Sequence, residues 1–223
     1  MVQGAWHGPC ASTDMRTVKQ GMQQLAHLGL RVYLKIRCGH RVHGVPRLDR
    51  PSILVANHAS HIDIAAIFAA LPISEVSKVR TAAARDTIYA LPPPVVALIE
   101  FLFNTYPFER KGKSSDSLER GAECLREGSH LAIFPEGRRS QDGVLLAFKP
   151  GFAKIAYQTG APVVPVRIEG AHRALPRGTR YIQQHRMDVT FHAPLHADTS
   201  VPCEFRKEEY ARLIRAAESA LKS

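Results

Sequence analysis

The chain has 223 residues, 45% of them hydrophobic, which fits one sizeable α/β domain or two small ones. Its formal charge of +10 and pI of about 9.8 favour an anionic partner: nucleic acid, an acidic membrane surface or phosphorylated small molecules. The four cysteines, Cys10, Cys38, Cys124 and Cys203, are scattered, which excludes zinc-module spacing and a dense disulfide framework and favours a reducing compartment.

Met1 to Thr13 is polar and Gly/Pro-containing, so residues 1–13 read as a flexible tail without a secretory signal. Residues 14–44 form an N-terminal amphipathic helical region. Val18, Met22, Leu25, Gly29, Val32 and Ile36 recur in steps of three and four, which places one stripe on a helix. Arg16, Lys19, Arg31, Lys35 and Arg37 make its flanks basic. Such a helix either packs on its own domain or lies at an anionic membrane surface. Gly44-Val45-Pro46 is a turn signal, and Ser52 to Ala56 is a first buried strand. The apolar run Ile64 to Leu71 predicts a helix, Lys78 to Thr81 a strand and Ala84 to Tyr89 a short helix stopped by Pro92. No uninterrupted apolar run is long enough to span a membrane. The nearest, Ile88 to Phe103, contains Pro92-Pro93-Pro94 and Glu100, and reads as a buried or interfacial segment.

A strand is expected over Thr105 to Phe108, followed by the basic turn Arg110 to Lys113. Asp116 and Glu119 resemble a capping box for a helix that ends at Gly128. Further strands are expected over Leu131 to Phe134, Val163 to Ile168 and Asp188 to His192. Helices are expected over Phe152 to Gln158 and through Tyr210, Leu213, Ile214, Ala217 and Leu221. This alternation predicts an α/β single domain over 14–223, a mainly parallel β-sheet covered by helices.

Two polar stretches follow buried strands, where α/β proteins place their chemistry. In Asn57-His58-Ala59-Ser60-His61-Ile62-Asp63 the Asp63 carboxylate can fold back on His58 and leave one ring nitrogen free to take a proton. His58, His61 and Asp63 are also potential metal ligands, but no second compact cluster completes such a site. In Phe134-Pro135-Glu136-Gly137-Arg138-Arg139-Ser140, Glu136 could accept a bond from a substrate hydroxyl. Gly137 would allow close backbone approach, and Arg138 and Arg139 could fork onto phosphate oxygens. Lys149 and Gly151 precede a helix, another place suited to an anion.

Together these stretches resemble the glycerolipid acyltransferase family, with its N-H-x-S-x-x-D signature at 57–63 and its F-P-E-G-T-R-S block at 134–140. Arg139 falls on the family arginine and Arg138 replaces threonine. Phe148-Lys149-Pro150-Gly151 is similar to the family F-K-x-G, and Ala161 to Val166 to the late proline-bearing block. In weaker matches, Arg85 replaces a lysine, Asn104 a glycine and Pro107 a phenylalanine, while Arg110 is retained. The resemblance spans the motif-bearing core, 52–170.

The resemblance implies transfer of a fatty acyl group from an acyl-CoA or acyl carrier protein thioester to the free hydroxyl of 1-acyl-sn-glycerol 3-phosphate, giving phosphatidic acid. His58 would be the base, held by Asp63. Arg110 and Arg139, with Arg85 as a third cation, would grip the acceptor phosphate, and Glu136 would orient the hydroxyl. Ser60 reads as a helix-cap or loop residue. The expected partners are a lysophospholipid and an anionic membrane surface, with the protein peripheral on the cytoplasmic face; neither a metal nor a further cofactor is expected. Another lyso-lipid or glycerol phosphate is an alternative acceptor. Outside the family the rivals are a basic nucleic-acid-binding protein, which lacks a zinc module, a single-strand RNA signature and abundant aromatics, and a thioesterase, which would not need phosphate-gripping arginines.

Overall fold

The computed structural model describes residues 11–46, 48–108, 114–179 and 181–222. Seven strands form one sheet: β1 (Arg41–His43), β2 (Ile53–Ala56), β3 (Val79–Ala84), β4 (Thr105–Phe108), β5 (His130–Ile133), β6 (Val163–Glu169) and β7 (Asp188–Phe191). Their spatial order is β1-β7-β6-β2-β5-β3-β4. The run from β6 to β4 is parallel, which matches the expected α/β class. β7 pairs antiparallel with β6, and β1 runs parallel to β7. Central β2 is buried on both faces, so its sequence is a continuous apolar run without alternation.

Helices cover both faces. Helix α2 (Asp63–Ala70) buries Ile67 and Phe68 against one face, beside α1 (Ala11–Cys38) and α3 (Pro93–Phe103). Helices α4 (Ser114–Arg126), α5 (Gly151–Thr159) and α7 (Arg206–Lys222) pack on the other, where Phe152, Ile155 and Leu213 are buried. A short α6 (Ala171–Ala174) follows β6. Gly160 ends α5 with φ +67°, a left-handed conformation that a side chain would strain.

Several local expectations change. Helix α1 begins at Ala11, inside the expected tail. Residues 85–90 form turns rather than a helix, with the Thr87 and Ile88 N–H groups both bonded to Ala84 O. Asp116 lies in the first turn of α4 rather than at its cap. Strand β1 and helix α6, at three and four residues, are too short to leave a periodic signature.

The largest departure concerns which side of α1 packs. Val18, Met22, Leu25, Val32 and Ile36 are exposed, Leu25 and Ile36 by 71% and 73%. The inward face instead carries Gln23, His27, Arg31, Leu34 and Cys38. Gln23 Nε2 donates to Phe101 O (2.6 Å) and Asn104 Oδ1 (2.9 Å), and His27 Nε2 lies 2.6 Å from Leu102 O. Arg31 donates to the carbonyls of Ala69 (2.8 Å) and Leu71. Those carbonyls lie at the C-terminal ends of α3 and α2, where backbone acceptors lose their helical partners. Helix α1 is therefore bolted down partly by polar side chains. Asn104 caps α3 with φ 45°, which explains an asparagine at the family glycine: asparagine tolerates this left-handed conformation. Its amide donates to Val76 O (3.2 Å) and Val79 O (3.1 Å).

Candidate active site

The sheet delivers the predicted stretches to one edge. Residues 57–62 leave the C-terminal end of β2, and residues 134–140 leave that of its neighbour β5. The chain folds back at once into α2, whose first residue is Asp63. His58 Nδ1 lies 2.8 Å from Asp63 Oδ2. The same oxygen accepts the N–H groups of Ala59 (2.7 Å) and Ser60 (2.8 Å), and Asp63 is fully buried. A carboxylate acceptor places the imidazole proton on Nδ1 and leaves Nε2 with its lone pair. The ring also stacks on Phe134, with centroids 4.3 Å apart and an interplanar angle of 22°. Two motifs therefore hold one imidazole, by its edge and by its face.

Glu136 joins the motifs at backbone level. Its Oε1 accepts the His58 N–H (2.7 Å) and its Oε2 the Leu146 N–H (3.0 Å), while Ser140 N–H donates to His58 O (2.8 Å). Glu136 is 3% exposed, and burial pushes its pKa up against the pull of those two bonds. Expected to meet a substrate hydroxyl, Glu136 has both oxygens engaged by backbone donors instead, and it braces the loop that carries His58.

Gly137 has φ +70°, and a Cβ there would lie 2.7 Å from the Lys149 ammonium. The lysine therefore lies directly over the residue 137 backbone, and its own N–H donates to Pro135 O (3.0 Å). Arg138 is exposed and Arg139 half-buried. His61, two residues before Asp63, is exposed. Desolvation lowers its pKa first, the Arg139 and Arg177 guanidinium charges lower it further, and the Asp63 carboxylate opposes them. Arg85 is exposed just beyond β3, and its backbone N–H donates to Phe108 O (3.1 Å). Arg110 lies outside the described residues. Among the described residues no group of three or more His, Cys, Asp or Glu side chains is placed to hold a metal ion.

Three contributors were not assigned from sequence. Phe134 is the platform under His58. Asn57 ties β2 to β6 through both amide atoms, Nδ2 to Ile168 O (2.9 Å) and Oδ1 from Ile168 N–H (2.8 Å). Ser60, expected as a cap or loop residue, donates from a buried hydroxyl to Leu175 O (2.7 Å), fastening the segment after α6 to the His58 loop. Phe134, Asn57 and Ser60 all lie inside the quoted motifs, so the motif match was the available signal. The long-range partners of Asn57 and Ser60 were not.

Comparison with known proteins matches residues 39–169 to a family model described as Acyltransferase. Among curated relatives, 1-acyl-sn-glycerol-3-phosphate acyltransferase LPAT1, chloroplastic, of Arabidopsis thaliana is 31% identical over 155 residues, covering 68% of this chain and 41% of that protein. Human 1-acyl-sn-glycerol-3-phosphate acyltransferase beta is 32% identical over 121 residues, covering 52% of this chain and 41% of its own length. The chain thus spans less than half the length of each of these relatives. Among solved structures, the 1-acyl-sn-glycerophosphate (LPA) acyltransferase PlsC from Thermotoga maritima superposes with a TM-score of 0.67 at 25% identity, covering 95% of this chain and 83% of that one.

Proposed function

The chain belongs to the acyltransferase family, and from that membership we propose that it moves a fatty acyl group from an acyl thioester to the free hydroxyl of 1-acyl-sn-glycerol 3-phosphate, giving phosphatidic acid. The observation that carries this reading is the His58–Asp63 pair at the end of β2, with the Glu136–Ser140 loop wrapped around it. The names of its relatives support the choice of acceptor.

An alcohol is a weak nucleophile until its proton is removed. His58 Nε2 takes that proton as the hydroxyl oxygen attacks the thioester carbonyl, and the buried Asp63 stabilises the imidazolium that forms. When the tetrahedral intermediate collapses, the C–S bond breaks and His58 returns the proton to the departing sulfur. The acyl group has moved from sulfur to oxygen without a covalent enzyme intermediate. Arg139, with Arg110, Arg85, Arg138 and Lys149, supplies cations for the acceptor phosphate. Fixing that phosphate positions the hydroxyl beside His58, the entropic part of the acceleration. Gly137, by lacking a Cβ, lets the Lys149 ammonium lie over the backbone of this loop rather than leaving that space to the acceptor.

The protein works as a peripheral enzyme on an anionic membrane surface, at the cytoplasmic face. No described helix is long and apolar enough to cross a membrane. The outward stripe of α1 and the exposed Val95 and Leu98 of α3 supply apolar surface, with Lys19 and Lys35 beside the stripe. The test is thioester release by the purified chain with lysophosphatidic acid, other lysophospholipids, glycerol 3-phosphate or water as acceptor. Fastest release with lysophosphatidic acid, and phosphatidic acid as product, is the expected result. Release indifferent to acceptor would make the protein a thioesterase.

A further inference from the structure

Transfer between two substrates needs a seat on each side of the base. Strands β5 and β3 flank β2 on one side and end beside Arg138, Arg139 and Arg85, the cations assigned to the acceptor. Strand β6 flanks β2 on the other side. There lies a cavity of about 430 Å³, whose walls include Asn57 and Ala59, the two residues that bracket His58. That volume falls within the roughly 300–1,000 Å³ of small-molecule sites. Arg167, Glu169, His172 and Arg173 form much of the rest.

The walls are fixed before any ligand arrives. Asn57 is locked to Ile168 by two hydrogen bonds, and Ser60 fastens Leu175 at the end of α6. Gly170 turns the chain out of β6 with φ +79°, where a Cβ would lie 1.9 Å from Arg186 O. Gly143 packs on the other side, its Cβ position 3.6 Å from the His172 ring.

The lining is too polar for an acyl chain, since filling it with methylenes would strand charged and hydrogen-bonding groups. Its charges are mostly spoken for. Arg167 pairs with Glu169 at 2.9 Å. Asp142 accepts the Ser140 hydroxyl (2.9 Å) and the Val144 N–H (3.1 Å), bonds that hold its pKa down. Arg173 is exposed and belongs to no ion pair among the described residues. The site thus offers fixed donors and acceptors within and a guanidinium at the rim. A flexible arm of amides ending in a phosphate matches that order.

We propose that this cavity is the donor seat and takes the phosphopantetheine arm of the acyl thioester, with the phosphate on Arg173 and the thioester end at Asn57 and Ala59 beside His58. The proposal rests on the acyltransferase reading and names the chemistry of its donor. Coenzyme A and acyl carrier protein share this arm, so either carrier fits the seat. Donor and acceptor then approach His58 from opposite flanks of β2.

The test titrates acyl-CoA, acyl carrier protein and acyl-pantetheine, which lacks the phosphate, against the full chain at saturating lysophosphatidic acid. Arg173→Glu should raise KM for the two phosphorylated donors about tenfold or more relative to acyl-pantetheine, the scale of a lost charge-assisted bond. The acceptor KM should stay within about twofold. Arg173→Lys should restore part of the preference. The carrier with the lower wild-type KM is the physiological class. Equal changes for all three donors, or a rise in acceptor KM instead, would overturn the donor seat. Calorimetric binding of 4′-phosphopantetheine needs no turnover and separates the two readings. Binding by the wild type that Arg173→Glu loses supports the seat even if lysophosphatidic acid is not acylated, which would sink only the proposed function. Equal binding by both proteins sinks the seat.

Discussion

Replacing Asp63 by asparagine separates the charge behind His58 from the shape of its loop. Oδ2 accepts from His58 Nδ1 (2.8 Å), Ala59 N (2.7 Å) and Ser60 N (2.8 Å), and the residue is fully buried. The asparagine carbonyl can occupy the Oδ2 position and keep all three contacts. Its amide then takes the place of Oδ1, which is buried and receives no hydrogen bond from the described residues. A buried donor without an acceptor costs about 1–3 kcal/mol, and the three surviving bonds lose their charge assistance. Stability should fall by about 2–4 kcal/mol, less than the roughly 5–15 kcal/mol of a native domain. The folded variant should lose about a hundredfold or more in kcat, because the imidazolium formed on proton transfer loses its counter-charge. That loss corresponds to about 2.7 kcal/mol on the barrier. Asp63→Ala is the contrast, since it leaves the Ala59 and Ser60 N–H groups without their acceptor and should disorder the loop. The assay is thioester release at saturating donor and acceptor, with folding checked by circular dichroism. A folded Asp63→Asn protein within about threefold of wild-type kcat, under 1 kcal/mol on the barrier, would refute the dyad.

Arg139→Ala should raise the acceptor KM about tenfold or more, with a smaller change in the donor KM, and Arg139→Lys should recover only part because it loses the fork. A folded variant with unchanged acceptor KM would remove Arg139 from the phosphate site. Leu25→Asp combined with Ile36→Asp changes two side chains that are 71% and 73% exposed, so each should shift stability by no more than about 0.5 kcal/mol. The double variant should lose flotation with anionic vesicles, and undiminished flotation would reject α1 as the membrane face. Burial lowers the pKa values of His27, His40 and His130 below the ordinary 6.5, so the unfolded chain binds more protons than the native one. Stability is therefore full above about 6.5 and should fall as pH drops through the depressed native values. His27→Gln keeps a donor for Leu102 O and should flatten that slope in denaturant titrations at stepped pH. An unchanged slope would show that His27 does not contribute to it.

What could be read in advance followed the range of the interaction. The strand-then-polar-stretch pattern at 52–63 and 131–140 placed the dyad because strand, loop and helix are contiguous, and a carboxylate five residues after a histidine has few places to go. The pairing of β2 with β5, which makes Glu136 bind the His58 N–H across 78 positions, has no local signal. Glutamate looked like a substrate ligand because its carboxylate was counted as available, and only the fold reveals two backbone donors already on it. The antiparallel β7 was expected as a strand, but its direction depends on the return path after α6, which composition does not encode.

Helix α1 shows most sharply why a pattern can be right while its orientation stays open. A stripe every three or four residues shows that a helix is two-sided, and it is equally compatible with a core or a lipid surface behind the apolar side. The deciding information lies on the other face. Gln23, His27 and Arg31 recur at spacing four, and each finds a carbonyl at a helix end. A polar row at that spacing, followed by buried Leu34 and Cys38, is costly to bury unless acceptors wait for it. Once those bonds satisfy the inward face, Val18, Met22, Leu25, Val32 and Ile36 have no side left to occupy but the outside. Their exposure is a consequence of how α1 is fastened, so loosening the polar row should free the whole helix before it alters the stripe.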